Sequence, residues 1–397
     1  MNRKPFYPLL ENPYRKKDLN RAIKVIKSGR LTIGTHTSNF EKNFSKKIKT
    51  KYSVMVNSGS SANLLAFQCL INPYRKKRLL YGDNVLIPTV CWSTSLWPII
   101  QSGLKPIFVD VEPKTLNIDI SDLKRKITKK TKALMLVHVL GNSTNMDELM
   151  KIIKKNKLIL IEDACEALGS KYKKKYLGTF GEFSSFSFYS SHQISSGEGG
   201  MIACKNVEDY EILKALRSHG WSRGLRNEKK ISNQNKHLDS RFIFYNSGFN
   251  LRPTDISAAI GFSQFKDMDK LNGLRNYNRD IIVNSLKKNF KITKNFYFVE
   301  ANNNVKPSWF GIGILIKNKN KRRNLIRSLE QNGIETRPII SGNFIKQPSV
   351  KKYKLAQNQN FKNSDIINSQ GFFIGLPTKK ISNSYVTRIV KTFEKSI

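Results

Sequence analysis

Two apolar periods alternate along the chain. Short, nearly continuous runs, Val54-Met55-Val56, Asn84-Val85-Leu86-Ile87-Pro88, Pro106–Val111, Ala133–Val139 and Leu158–Glu162, read as buried strands, and segments such as Met146–Lys155 between them carry apolar residues at helical spacing. Strands alternating with helices predict a mostly parallel sheet covered by helices, with ligands held beyond the C-terminal strand ends. Asp163 falls at one of those ends. Ahead of the first strand, Lys16 to Ser28 predicts an amphipathic helix with Leu19, Ala22, Ile23 and Ile26 on one face; Gly29 and Gly34 lead through a loop to a second helix from about Ser38. After that strand, Asn57-Ser58-Gly59-Ser60-Ser61-Ala62 is a small-residue loop running into the helical Asn63-Leu64-Leu65-Ala66-Phe67. Strand, small-residue loop and helix start together suit a phosphate, because the first amides of a helix point outward with partial positive charge.

Residues 183–200 form an alternating, strand-like run that ends in a polar loop and the pair Gly199-Gly200; strand Met201–Cys204 and helix Val207–Ser218 follow. His219 lies in a Gly-, Trp- and Arg-rich loop and is a candidate substrate contact, whereas His36, His138 and His237 read as incidental. The polar stretch Arg226–Asp239, with only Ile231 and Leu238 to bury, predicts a mobile excursion. Pro253 opens a helix bearing Ile256, Ala259, Ile260 and Phe262. A boundary after Leu271 divides the chain into a large domain, 1–271, and a smaller α/β domain, 272–397, with strand Trp309–Ile316, helix Arg322–Asn332, strand Thr336–Ile340 and a last helix from Ser384.

Charge adds less than its size suggests. Seventy Lys and Arg against 29 Asp and Glu give +41, but the lysines are spread over nearly every segment, whereas a nucleic-acid-binding chain would concentrate them in a tail or on one face. No nucleic-acid partner is expected. No apolar run reaches the ~20 residues of a membrane helix, and no apolar stretch backs the basic N-terminus, so neither membrane nor signal segment is expected and the cytoplasm is the default. The four cysteines, Cys69, Cys91, Cys165 and Cys204, are widely spaced; they signal no metal site and read as small buried hydrophobes.

The runs Glu162-Asp163-Ala164-Cys165-Glu166-Ala167-Leu168-Gly169 and Phe183 to Gly200 resemble the DegT/DnrJ/EryC1/StrS family of pyridoxal-phosphate-dependent sugar enzymes. That resemblance implies an aspartate-aminotransferase-like (fold type I) α/β architecture. The family carries a lysine in the Ser-Phe-Tyr block, where it holds the cofactor covalently. Here the frame leads to His192, and no lysine occurs between Lys175 and Lys205. An imidazole has no primary amine, but it moves protons near neutral pH. The resemblance therefore narrows to the deoxysugar 3-dehydratase branch. It implies catalytic roles for His192 and Asp163, the latter on the cofactor's ring nitrogen. It further implies a cofactor cradle of Gly59, Ser60, Ser61 and Ser187 at the phosphate, Trp92 on the ring face, and Glu166 near the phenolic oxygen. Gly248-Phe249-Asn250-Leu251-Arg252 is similar to the family's Gly-x-Asn-x-Arg segment, which implies that Asn250 reaches the phosphate of a neighbouring subunit in a homodimer with shared sites. Arg252, and Arg337 in Gly333-Ile334-Glu335-Thr336-Arg337, are candidate substrate contacts.

The chemistry that the resemblance implies is removal of a C3 hydroxyl from a nucleotide-linked 4-keto-6-deoxyhexose, with pyridoxamine phosphate as working cofactor and glutamate restoring its amine. GDP-4-keto-6-deoxymannose, on the way to O-antigen sugars, is the substrate implied first. A CDP-linked 4-keto-6-deoxyglucose and a perosamine-synthase-like transamination are the alternatives; a catalytically silent binding protein on the same fold is the non-enzyme reading. One dehydratase type carries an iron–sulfur cluster on closely spaced cysteines after the histidine loop; residues 217–241 contain none, so no cluster is expected.

Overall fold

The computed structural model describes residues 5–355 and 359–397; Met1–Lys4, the basic start in which no signal segment is expected, lie outside them. Nine strands come first: β1 (Tyr52–Val56), β2 (Asn84–Pro88), β3 (Lys105–Val109), β4 (Thr131–Val137), β5 (Ile159–Asp163), the hairpin β6 (Lys171–Tyr172) and β7 (Lys175–Tyr176), β8 (Phe183–Ser187) and β9 (Gly200–Cys204). Seven of them form one sheet in the order β1-β9-β8-β5-β4-β2-β3. From β8 through β5, β4 and β2 to β3 the strands are parallel. β9 alone runs antiparallel to both its neighbours, β1 and β8. β8 and β9 are thus an antiparallel pair, and the run 188–199 between them is a loop projected from the C-terminal end of the sheet. Its base is closed by Phe188 N–H on the Gly199 carbonyl (2.9 Å).

Both faces of the sheet are buried, which is why its strands read as continuous apolar runs. Val85, Ile87, Ala133, Met135 and Ile161 belong to one core; Leu86, Leu134, Leu136 and Leu160 belong to the other. On this second face Phe44 stacks on Phe265 (5.1 Å) and meets the edge of Phe186 (5.0 Å), and Phe40 packs on Phe188 (5.2 Å). These rings support the strand from which the 188–199 loop departs.

Four helices in order are α1 (Lys16–Lys27), α2 (Thr35–Ile48), α3 (Gly59–Leu70) and α4 (Ser93–Gln101). α1 presents a different face from the predicted one: Asp18, Ala22 and Val25 are buried, while Leu19, Ile23 and Ile26 are 43%, 46% and 54% exposed. Arg15 turns the helix by pairing with Asp18 (2.8 Å), and the small Ala22 packs toward the helix Asp255–Phe265. The polar stretch expected to be mobile holds the helix Glu228–Gln234, anchored by Ile231 against Ala215, Leu225 and Ile243.

A second sheet, strands β10 (Phe296–Phe298), β12 (Ile312–Ile316) and β13 (Gly371–Ile374), is antiparallel, and β11 (Val305–Lys306) pairs with β6. The division expected after Leu271 falls inside the helix Met268–Lys287, which runs from one part into the other. Residues 336–340 form only the bridge Arg337–Phe373, because Pro338 has no N–H and Ile340 adopts φ +48°. Trp309 and Phe310 precede β12, since Phe310 N–H is used by the Leu140 carbonyl (3.1 Å). The N-terminal segment is tied to this part of the chain: Tyr7 forms an isolated bridge with Ile334, and its hydroxyl donates to the Gly375 carbonyl (2.7 Å). No helix of the described residues is long and apolar enough to cross a membrane.

Phe44→Ala removes a fully buried ring from the support under β8. A loss of ~3–5 kcal/mol of stability is expected, read as a lower urea midpoint with an unchanged slope.

Candidate active site

A cavity of about 550 Å³ opens at the C-terminal ends of β4, β5 and β8 and at the starts of α3 and α4. α3 begins earlier than predicted, at Gly59, because Ser58 caps it by accepting the Ser61 N–H (3.1 Å). The amides of Gly59 and Ser60 are therefore in the first helical turn, without intrahelical acceptors, and face the cavity these residues line. Gly59 is required there: a Cβ would stand 2.6 Å from the Ser187 Cβ and 2.9 Å from the Cys165 sulfur. Trp92 caps α4, is 56% exposed, and has no ring partner among the described residues. A flat heterocycle laid on it would be stacked and desolvated.

Asp163, the last residue of β5, is tightly held. Its Oδ2 accepts from Ser95 Oγ (2.7 Å) and Asn63 Nδ2 (2.9 Å), and its Oδ1 accepts from the Cys165 N–H (3.1 Å). Oδ1 retains acceptor capacity for a protonated ring nitrogen. Three residues on, the half-buried Glu166 accepts the Leu140 N–H at Oε2 (2.7 Å). Burial raises its carboxyl to about 7, the Leu140 amide opposing and the Asp163 charge adding to the shift. Near neutral pH Glu166 is thus divided between acid and carboxylate and is able to share a proton with a phenolic oxygen.

His192 sits in the loop that β8 and β9 project. Its Nδ1 lies 2.6 Å from the Cys165 carbonyl, which can only accept, so Nδ1 carries the hydrogen and Nε2 keeps its lone pair. Tyr189 and Phe310 flank the ring, at 6.3 Å and 5.1 Å. Burial lowers the imidazole to about 4, with Arg275 adding to the drop, and the Cys165 hydrogen bond and Asp163 opposing it. His192 is therefore a neutral proton acceptor at ordinary pH. Lysine is absent from the described residues that line the cavity.

The cavity gathers Gly59, Ser60, Trp92, Asp163, Glu166, Ser187, His192 and Arg337. Ser61 is not among its walls: its amide is taken by Ser58 and its hydroxyl donates to Asn57 (2.6 Å), so it stabilises the helix cap. Asn250, Arg252 and His219 also stand apart, in a cluster of their own. There Arg252 Nε donates to Asn250 (3.1 Å), its guanidinium lies over Trp221, and the His219 N–H donates to Phe249. Gly248 permits this packing, since a Cβ would stand 2.0 Å from the Gly220 nitrogen. His138, read as incidental, is buried and pairs through Nε2 with Glu162 (2.9 Å). Burial alone would raise the Glu162 carboxyl, but His138 and the Gly178 and Gly181 amides outweigh it and hold the group below the usual range. Cys165 is not a simple core residue; it lines the cavity, and burial next to Asp163 keeps its thiol well above the usual value.

Asn63, Ser95, Tyr189, Ser191 and Phe310 were not singled out by sequence reasoning. Asn63 and Ser95 left one signal, a polar residue on the apolar side of a buried helix. Among the described residues, no group of three or more His, Cys, Asp or Glu is placed to hold a metal ion.

A phosphate cradle at a helix start, an unpartnered indole, and a braced carboxylate define the class: an aspartate-aminotransferase-like protein with a site suited to a pyridoxal-phosphate-type cofactor. The chain belongs to the DegT/DnrJ/EryC1/StrS aminotransferase family, which matches residues 13–394. It is 37% identical over 374 residues to GDP-4-keto-6-deoxy-D-mannose 3-dehydratase of Escherichia coli O55:H7, covering 93% of this chain and 95% of that one. The solved E. coli GDP-4-keto-6-deoxy-D-mannose-3-dehydratase with bound hydrated PLP superposes with a TM-score of 0.91 at 34% identity, over 98% of this chain and 100% of that one. A structure of GDP-4-keto-6-deoxymannose-3-dehydratase with a trapped PLP-glutamate geminal diamine gives 0.90 at the same identity and coverage.

Two outcomes are expected. Gly59→Ala should weaken cofactor binding at least about tenfold, measured by fluorescence titration, because the Ser187 contact forces the cradle open. In the apo-protein, His192→Asn should flatten part of the pH dependence of stability. The folded imidazole at about 4 lies below its ordinary 6.5, so the unfolded chain binds more protons between those values. Wild type should lose stability relative to His192→Asn as pH falls from 6.5 toward 4, and show no such loss above 6.5, in urea unfolding at stepped pH.

Proposed function

We propose that this chain removes the C3 hydroxyl of a nucleotide-linked 4-keto-6-deoxyhexose, GDP-4-keto-6-deoxymannose in the first instance, using pyridoxamine phosphate and glutamate. The observation that carries the reading is a cofactor-shaped cavity with a neutral imidazole at His192 and no lysine on its described walls. When bound, the cofactor supplies the primary amine that engages the sugar ketone and a ring that accepts electrons. Gly59, Ser60 and Ser187 would hold its phosphate, Trp92 would cover the ring, and Asp163 would keep the ring nitrogen protonated. His192 takes up a proton at Nε2 and delivers it to the departing C3 oxygen, which leaves as water. Phe310 and Tyr189 screen that transfer from solvent. Arg337 contacts the sugar nucleotide. Overall, one sugar loses one oxygen while one glutamate becomes 2-oxoglutarate and ammonia, so electrons and atoms balance without an external reductant.

The separation of Asn250, Arg252 and His219 from the cavity supports a homodimer in which they complete the neighbour's site. The exposed stripe of Leu19, Ile23 and Ile26 supports it too, since such stripes seek cover. A nucleotide-sugar substrate fits the cytoplasmic location expected from the sequence.

Purified protein with pyridoxal phosphate, glutamate and GDP-4-keto-6-deoxymannose should yield a sugar one oxygen lighter, without nitrogen, and one 2-oxoglutarate per turnover by mass spectrometry. His192→Asn should lower the rate by about 100-fold or more while cofactor absorbance is retained. An amino sugar that keeps its C3 oxygen would overturn the reading in favour of transamination.

A further inference from the structure

The helix Met268–Lys287 delivers one arginine, Arg275, to the back of the cavity wall, where it is only 4% exposed. Its Nη2 donates to the His192 carbonyl (3.1 Å) and its Nη1 to the Phe310 carbonyl (3.2 Å). Its Nε is buried without a partner, and among the described residues no carboxylate lies within ion-pair distance of it. The two residues it grips are both on the cavity wall, with rings 5.1 Å apart. Gln193 ties the same segments by donating to the Glu166 and Ser308 carbonyls. The loop is therefore already fastened by a neutral side chain. A buried guanidinium with no counter-charge is costly, and neutral donors would hold two carbonyls at lower cost.

Resting on the proton transfer assigned to His192 under the proposed function, we propose that Arg275 is a positioning residue: its fork fixes the backbone that carries the imidazole, and its unpaired charge stands behind that ring. Burial comes first in disfavouring the imidazolium, and the Arg275 charge adds to it. Asp163, at the end of β5, favours the protonated ring, and Glu166 on the same loop adds to that whenever it is ionised. The Cys165 carbonyl also favours the cation, and Tyr189 and Phe310 contribute no charge. Glu198, on the same loop as His192, and Arg337, from a distant segment, also line the cavity and carry opposite signs. The hydroxyl of Tyr7, the ionisable group nearest Arg275 in its electrostatic surroundings, is pushed upward by burial and stays neutral, so the arginine's charge is not cancelled.

The test is nitrogen-detected NMR titration of His192 in the apo-protein, for wild type, Arg275→Lys and Arg275→Gln, alongside the pH profile of kcat/KM for the GDP-sugar. Arg275→Lys should keep the His192 midpoint, because the charge stays, but lose about tenfold or more in kcat, because one ammonium cannot span both carbonyls. Arg275→Gln should raise the midpoint by about one pH unit, and the acid limb of kcat/KM should move with it. An unchanged midpoint in Arg275→Gln with only a lower unfolding temperature would overturn the charge role. Wild-type kcat in Arg275→Lys would overturn the clamp, whether or not the glutamine variant folds. The titration needs no substrate. A shifted midpoint in a protein that never dehydrates the sugar would leave the charge effect standing and defeat the function instead.

Discussion

The hydrogen bond from His192 Nδ1 to the Cys165 carbonyl is the contact on which the site depends. It joins the loop leaving β8 to the loop leaving β5, two parallel neighbours whose C-terminal ends lie side by side. It also decides which ring nitrogen holds the lone pair. Without it the imidazole could rotate, and a base able to present either nitrogen, or its cation, would not be a defined proton carrier. The sheet order makes the bond possible. Because β9 returns antiparallel beside β8, the intervening loop has both ends anchored in strands and its tip over the cavity.

Burial and hydrogen bonding act differently on Asp163, Glu166 and the imidazole. Desolvation raises Glu166 and lowers His192, so both are pushed toward their neutral forms. Asp163 is differently placed, with Asn63, Ser95 and the Cys165 amide all donating to it. A carboxylate held in place by three donors is what a protonated heterocyclic nitrogen requires. In the proposed reaction this divides the labour, with Asp163 facing the ring nitrogen and His192 moving protons.

Much of this was legible in the sequence because motifs and strand runs are local. The helix Met146–Lys155 has the predicted bounds, and Asp163 ends its strand as expected. What was not legible depends on partners distant in the chain. The face of α1 was misjudged because Arg15, outside the apolar pattern, turns Asp18 inward. Ser61 looked like a phosphate ligand because its motif does not reveal that Ser58 and Asn57 consume its polar groups. The strand expected at 336–340 failed on backbone chemistry, a missing N–H at Pro338 and a left-handed Ile340, that an apolar count does not register. Asn63 and Ser95 could be assigned only once the fold brought them to a carboxylate at position 163.

The attachment of Tyr7 to Gly375 has a consequence for how the molecule is made. Leu9 and Leu10, which form part of the cavity wall, are held in place by a segment whose partners lie at Gly333–Glu335 and beyond. The Tyr7 hydroxyl and its acceptor are 368 residues apart in sequence. A closure between such distant points is slow to form and comes after the local strands and helices have settled. On the ribosome the segment around Tyr7 must wait for a partner 368 residues further along the chain. The large sheet can assemble during synthesis, but the pocket acquires its full wall only after the stretch from Gly333 to Gly375 has emerged.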